Sequence, residues 1–376
     1  MRYWLDFRLF RGLEAAISTV GSLGEFGLIR ALAARMPAGP LTSVGIGDDS
    51  AVVTAPSGSV VAAVDLVLEG RHFLRSWSSG HDVGVKAAAR SLADIAAMGA
   101  VPTALLAAVA LPGSLPASWA LDLAAGLAAE AERAGAGIVG GDTASAESVL
   151  VSVTALGDLR GVSPVRRSGA AAGDVVAVCG TLGHSAAGHA LLSAGAAEPG
   201  TLVAAHLRPS PPYDAGPEAA RLGATAMIDV SDGLLADLGH VAAASSVRID
   251  VSSAALVPPD DDPLWRAALS GDPEGVPQAG TGGRSGSAGR GSTVSRTDTG
   301  GSSRARLLHW VLTGGEDHSL AAAFPSPAAS GLPSRWRVIG TVHAAGMPGA
   351  AGEMAAGTVT VDGEPYAGNS GWEHFR

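Results

Sequence analysis

The sequence predicts a two-domain α/β protein. Three observations carry that expectation. The chain has 376 residues, of which 47% are hydrophobic, enough for two separate cores. Strand–turn–helix units recur in both halves. A Gly/Ser-rich stretch at 271–304 interrupts the second half with 10 glycines, 6 serines and 4 arginines, and with no large apolar residue except Val276 and Val294. Such a stretch cannot bury enough surface to offset its ordering entropy, so it is expected to be a disordered insertion.

Taken in order, residues 1–21 read as an N-terminal extension. A helix is expected over 25–36, offering Phe26, Leu28, Ile29 and Leu32 for burial and ended by Pro37, Gly39 and Pro40. Residues 44–49 run into the turn Gly47-Asp48-Asp49. Two strands, 51–54 and 59–67, flank the Pro56-Ser57-Gly58 turn. A helix over 81–99 places Lys86, Arg90 and Asp94, four residues apart, on one face, either a solvated ion-pair row or part of a site. A strand at 105–111 precedes a helix at 118–134, capped by Ser118 and stopped by Gly135. Ile138-Val139 then leads into Gly140-Gly141-Asp142-Thr143, with a strand at 149–156. The first domain is thus 22–160 and the second 161–376. In the second, the expected elements are a strand at 175–179, a helix at 185–194, a Pro-rich connection at 208–213, a strand ending at 227–229 and a helix at 233–245.

Composition excludes several functions. A net charge of −10 argues against nucleic acid or an anionic membrane surface as the main partner. One cysteine, Cys179, excludes an intrachain disulfide and a Cys-rich zinc site, and its apolar strand reads as core. The longest apolar region, 87–111, is broken by Arg90, Asp94, Gly99 and Pro102, so no membrane span is expected. The basic N-terminus is interrupted by Asp6 and Glu14 and is followed by no cleavage pattern, so a cytoplasmic protein is expected. The motif 135–140 has the spacing GxGxxG, but it follows a helix and enters a strand, the reverse of a dinucleotide fingerprint. The single lysine is preceded by Gly84-Val85 rather than a phosphate loop, and no GxSxG, HExxH or CxxC pattern occurs.

What remains is a set of aspartates at the ends of apolar elements. They are Asp48 and Asp49, Asp65, Asp94, Asp142, Asp229 and Asp232. Each alone reads equally as a turn former or helix cap. Seven in a charge-poor chain need partners, because isolated buried carboxylates are costly. Arginine or a hard divalent cation satisfies them, and Mg²⁺ suits carboxylates combined with phosphate oxygens.

The ordered motifs resemble those of the thiamine-monophosphate kinase family. The matching pieces are 24–29, Gly45-Ile46-Gly47-Asp48-Asp49, Glu69-Gly70-Arg71-His72-Phe73, Lys86-Ala87 through 92–100, and Gly140-Gly141-Asp142-Thr143. They continue with Arg167-Ser168-Gly169-Ala170, Gly183-His184-Ser185-Ala186-Ala187-Gly188, His206-Leu207-Arg208-Pro209 and Ile228-Asp229-Val230-Ser231-Asp232-Gly233-Leu234. The last are Gly314-Gly315-Glu316-Asp317 and Gly371-Trp372-Glu373-His374-Phe375. The match runs from about residue 22 to 376, the insertion excepted.

The resemblance implies the aminoimidazole ribonucleotide synthetase-like fold, with N-terminal strands of two subunits forming a dimeric barrel. It implies ATP- and Mg²⁺-dependent phosphorylation of thiamine monophosphate to thiamine diphosphate, the last step of thiamine diphosphate biosynthesis, by direct in-line transfer in a homodimer. By motif, Asp49, Asp65, Asp94, Asp142, Asp229 and Asp232 are implied as ligands of several Mg²⁺ ions. Gly141, Asp142, Arg167 and Ser231 are implied as ATP contacts, and His72, Glu316 and Trp372 as thiamine-phosphate contacts. Asp142, Arg167 and Asp232 are implied to carry the transfer itself. Glu316 also reads as a helix-start cap and Trp372 as core packing. Ala63-Val64 before Asp65, His318-Ser319 after Asp317, and Trp372 depart from the family pattern; the first removes polar contacts near one metal position. The rival readings are another ATP-using synthetase of the same fold and a non-catalytic nucleotide-binding scaffold. The first calls for a different substrate. The second calls for lost aspartates, which this chain keeps.

Overall fold

The computed structural model describes residues 19–37, 39–46, 50–196, 200–270, 301–346, 354–368 and 371. The expected extension at 1–21 lies almost wholly outside the described residues, as does the insertion up to residue 300. In chain order the elements are α1 (Val20–Ala33), β1 (Thr42–Val44), β2 (Val52–Val53), β3 (Val61–Leu68), α2 (Gly80–Ala97), β4 (Val101–Leu111), α3 (Ala117–Arg133), β5 (Gly137–Ser145) and β6 (Leu150–Asp158). They continue with β7 (Val175–Cys179), α4 (His184–Ser193), α5 (Thr201–Leu207), α6 (Ala215–Arg221), β8 (Ala226–Val230), α7 (Leu234–Ser245), β9 (Val247–Val251), α8 (Ser253–Leu256) and α9 (Pro263–Ser270). The chain closes with α10 (Gly301–Thr313), β10 (Ser319–Phe324), β11 (Trp336–Ala344), β12 (Val359–Val361) and β13 (Glu364–Pro365).

The chain divides into two compact units, Met1–Arg166 with Leu207–Asp229, and Arg167–His206 with Val230–Arg376. The return of Leu207–Asp229 to the first unit was not expected, and its side chains explain it. Arg133 of α3 donates to the Pro211 carbonyl at 3.1 Å, ion-pairs with Glu130, and stacks over the Tyr213 ring at 4.4 Å. Gly216 leaves no room for a side chain, because a Cβ there would stand 2.0 Å from the Ala96 carbonyl oxygen.

In the first unit, a sheet of order β3-β6-β4-β5 is antiparallel except for the β4–β5 pair. Helices α2 and α3 cross closely because Gly80, Gly84 and Gly126 face carbonyl oxygens of the other helix at only 2.1–2.2 Å from an added Cβ. Strand β3 alternates: Asp65 and Val67 turn toward α2, whereas Val64 and Leu66 are 64% and 47% exposed on the opposite side. The expected Ser118 cap is not formed. Helix α3 starts one residue earlier after Pro116, with no side-chain cap bond. Strand β5 runs on through Gly140–Thr143, since those glycines pair with β4 rather than turning. Helix α1 is kinked at Gly24, whose φ of 65° is non-helical, so the expected run from residue 25 is its second segment.

In the second unit the sheet order is β13-β12-β9-β11-β7-β10. Strand β7 is central and antiparallel to both β10 and β11. Phe324 meets Trp336 edge-on at 5.3 Å in its core, and Cys179 is buried there as expected. The last four residues of the expected insertion, 301–304, are instead the first turn of α10, where Ser303 is buried.

Candidate active site

In the first unit, α2 is fixed at its start by a reciprocal capping box between Ser79 and Asp82. Its polar face is not the solvated row that the sequence allowed. Lys86 is 2% exposed, and its Nζ donates to the His72 carbonyl at 3.2 Å. Arg90 and Ser91, one turn on, face Asp65 of β3. The Arg90 guanidinium lies 3.6 Å from Oδ1, and Ser91 Oγ stands 3.1 Å from Oδ2. Ser91 Oγ is also 2.8 Å from the Val153 carbonyl, so its single proton is shared between the two acceptors. Asp94 continues the same helix, half-buried.

His72 sits on a turn anchored by Glu69. One Glu69 oxygen accepts the Val149 N–H at 3.0 Å and the other pairs with Arg75 at 2.5 Å. Burial pushes the Glu69 carboxyl up, but these partners outweigh it and hold the group below its ordinary value. His72 Nδ1 accepts the Leu68 N–H at 3.0 Å, which leaves the proton of the neutral ring on Nε2. On β5, Gly141 admits no side chain, since a Cβ would stand 1.9 Å from the Ala107 oxygen. Asp142, next to it, is exposed in the strand, and its Oδ1 accepts the Thr143 N–H at 2.9 Å.

Asp229, in β8, is 4% exposed. In the second unit the chain passes from β8 through Ser231, Asp232 and Gly233 into α7. Neither aspartate caps that helix: the capping position is Gly233, which has no side chain to cap with. The loop amides go to Asp237 instead. Its Oδ2 accepts N–H groups from Ser231, Asp232 and Gly233 at 3.0, 3.0 and 3.1 Å. Arg167 is exposed, and its backbone carbonyl accepts the Ser245 hydroxyl at 2.9 Å.

Glu316 does not start a helix. Residues 314–318 are irregular and lead into β10. Glu316 and His318 both have left-handed backbones, with φ of 65° and 52°, uncommon for residues other than glycine. The strain is supported by two bonds: Glu316 N–H to the Ser231 carbonyl and His318 N–H to the Val230 carbonyl, each 2.8 Å. Between them, Asp317 is buried and accepts the Gly183 N–H at 2.6 Å and the Ser185 N–H at 2.9 Å. Burial raises the Asp317 carboxyl to about 7, against the pull of these amides and with the Glu316 charge adding to the rise. His184 is buried with Nε2 3.2 Å from Asp262.

Asp49 and Trp372 lie outside the described residues. Among the described residues, no group of three or more His, Cys, Asp or Glu side chains is gathered as a metal cage. Sequence reasoning assigned no role to Glu69, Asp237 or Asp317. The available signal was an acid inside an apolar run, as in Leu234-Leu235-Ala236-Asp237-Leu238.

Two family models match the chain: AIR synthase related protein, N-terminal domain, over residues 47–159, and AIR synthase related protein, C-terminal domain, over 171–284. The thiamine-monophosphate kinase of Mycobacterium tuberculosis is 45% identical over 359 residues, covering 95% of this chain and 93% of that protein. The chain belongs to the thiamine-monophosphate kinase family. Among solved structures of that family, thiamine-monophosphate kinase from Stenotrophomonas maltophilia K279a matches with a TM-score of 0.67 at 29% identity, covering 90% of this chain and 95% of that one. The structure of AaThiL complexed with AMPPCP and TMP matches with a TM-score of 0.66 at 29% identity, covering 94% and 97%. The expected two-domain aminoimidazole ribonucleotide synthetase-like fold is thereby established for this chain.

Proposed function

We propose that this chain transfers the γ-phosphoryl group of ATP directly to thiamine monophosphate, giving thiamine diphosphate and ADP. The observation that carries the reading is the bond from Glu316 N–H to the Ser231 carbonyl. It fixes on one backbone frame the residue implied for thiamine phosphate and the residue implied for ATP. The family membership and the ligands named for AaThiL support the same assignment. Neither rival from the sequence has an observation in its favour.

The acceptor is a phosphate monoester with a second pKa of about 6, so it is mostly dianionic at neutral pH and needs no general base. The obstacle is like-charge repulsion between two polyanions on an acidic chain. The candidate ligands Asp49, Asp65, Asp94, Asp142, Asp229 and Asp232 are all hard oxygen donors, and no dedicated cage exists among the described residues. That fits Mg²⁺, which takes one or two carboxylates and completes its shell with water and phosphate oxygens. When bound, Mg²⁺ neutralises the phosphate oxygens and holds donor and acceptor in line.

The chain's own groups do the rest. Gly141 brings the β5 backbone within reach of phosphate, and Arg167 offers a planar donor fork from an exposed position. His72, with its proton on Nε2, is set to donate to the acceptor phosphate. Glu316 is held to accept from the aminopyrimidine, and Trp372 offers an aromatic face to the cationic thiazolium ring. We further infer a homodimer through the open face of β3, where Val64 and Leu66 are exposed, in keeping with a dimeric barrel. No helix among the described residues is long and apolar enough to cross a membrane. ATP as co-substrate assigns the chain to the cytoplasm.

Incubation of the purified chain with ATP, Mg²⁺ and thiamine monophosphate tests the assignment. Chromatography is expected to show thiamine diphosphate and ADP in equal amounts. Consumption of ATP without thiamine diphosphate would refute it.

A further inference from the structure

We infer that Asp237 is a positioning residue that sets the backbone of the Ser231–Gly233 loop for nucleotide and metal binding. The inference rests on the reading above and assigns a role to a residue outside the implied ligand set.

Asp237 lies in the first turn of α7, and helical side chains lean toward the N-terminus. Its carboxylate therefore points back over the loop that precedes the helix. One oxygen, Oδ2, accepts three successive amides, those of Ser231, Asp232 and Gly233, at 3.0–3.1 Å. Three consecutive N–H groups converge on one point only if the backbone curls around it. The left-handed Gly233, φ 121°, provides that curl, and a Cβ there would stand 2.7 Å from the Thr313 carbonyl oxygen. Asp237 is 2% exposed, so its charge is compensated by these amides and the helix N-terminus rather than by bulk water.

The opposite side of the loop is pinned independently. The Val230 and Ser231 carbonyls accept the His318 and Glu316 N–H groups. Gly315 lies so close that a Cβ would be 2.6 Å from the Ser231 oxygen. Amides held by Asp237 on one side and carbonyls held by the strained turn on the other leave the loop one conformation. From it project the Ser231 hydroxyl and the Asp232 carboxylate. Helix capping alone does not account for this geometry, because the bonded amides belong to the loop and to the residue before the helix.

The test compares wild type, Asp237→Asn and Asp237→Ala. Asparagine keeps one oxygen in place without its charge; alanine removes the acceptor. Calorimetric titration with Mg²⁺ and a non-hydrolysable ATP analogue, without thiamine monophosphate, is expected to show affinity at least about tenfold weaker for Asp237→Ala. In turnover, kcat is expected to fall about 100-fold, the scale of a misplacement near 1 Å, while KM for thiamine monophosphate stays within about threefold. Asp237→Asn is expected to fall between. In the wild type, hydrogen exchange is expected to show protected amides at Ser231, Asp232 and Gly233, a readout that does not require either variant to fold.

A folded variant with lowered Tm but wild-type nucleotide affinity and kcat would reduce Asp237 to a structural residue and overturn the inference. Rapid exchange of the three amides would do the same. If the wild type makes no thiamine diphosphate, the functional reading fails, yet nucleotide affinity and exchange still decide the role of Asp237.

Discussion

Asp317 offers the sharpest physical prediction, because two strong effects oppose each other there. Burial raises its carboxyl from 3.8 to about 7, while the amides of Ser185, Gly183 and His184 pull it down. A rise of that size, at 1.36 kcal/mol per unit, is on the order of 4 kcal/mol. The sign follows from proton linkage. Between pH 3.8 and about 7 the native state binds more protons than the unfolded chain, so stability falls as pH rises across that window. The contribution is complete below 3.8 and gone above about 7. Asp317→Asn removes the titration. It also leaves one of the Gly183 and Ser185 amides facing an NH₂ group, a pH-independent cost of about 1–3 kcal/mol. Chemical denaturation of both proteins from pH 5 to 7 is therefore expected to show stability curves that converge as pH rises, the wild type losing up to about 1.4 kcal/mol per unit relative to the variant. Parallel curves would mean that the loop amides keep Asp317 ionised throughout and that burial does not dominate.

Further predictions follow from the same geometry. Asp232→Asn is expected to keep the fold, by circular dichroism, and to lose most turnover; full turnover would remove Asp232 from the metal set. Gly84→Ala places a Cβ 2.2 Å from the Leu123 carbonyl oxygen, and the forced separation of α2 from α3 is expected to cost about 1–3 kcal/mol in thermal or denaturant unfolding. Replacing 271–300 by a short Gly-Ser linker is expected to leave kcat near wild type, whereas extending the deletion to 304 removes the first turn of α10 with buried Ser303 and is expected to lower Tm.

Much of the architecture was legible in the sequence, and particular residues show why. The run 175–179 is wholly apolar and bounded by polar turns, and it is β7 to the residue. Helix α2 ends at Ala97, two residues before Gly99, whose φ of 77° suits glycine as the stop the 81–99 pattern implied. The failures are tertiary. The four-residue charge spacing leaves Lys86 open between a solvated row and a site, and only the fold decides: the turn carrying His72 covers it and supplies a carbonyl. The Gly140–Thr143 segment is strand because β4 lies alongside and accepts only glycine at 141. Leu207–Asp229 belongs to the first unit through Arg133 and Tyr213, partners about eighty residues apart.

The candidate site divides the same way. The motifs point to the residues proposed to face ligands, because their types carry the chemistry: carboxylates, a histidine, an arginine and glycines. They do not identify the groups that hold those residues still. Asp237 and Asp317 act through backbone amides of Ser231–Gly233 and Gly183–Ser185, and an amide carries no sequence signal. The left-handed conformation of Glu316 is equally silent, since its residue type does not favour it.

Direct phosphoryl transfer from ATP to thiamine monophosphate is decided by single-turnover reaction with ATP labelled at the γ-phosphorus. The label is expected to pass to the terminal phosphate of thiamine diphosphate, at no stage attached to the protein, and chelation of Mg²⁺ is expected to abolish the transfer. Label trapped on the chain, or released as inorganic phosphate while thiamine monophosphate stays intact, would contradict it.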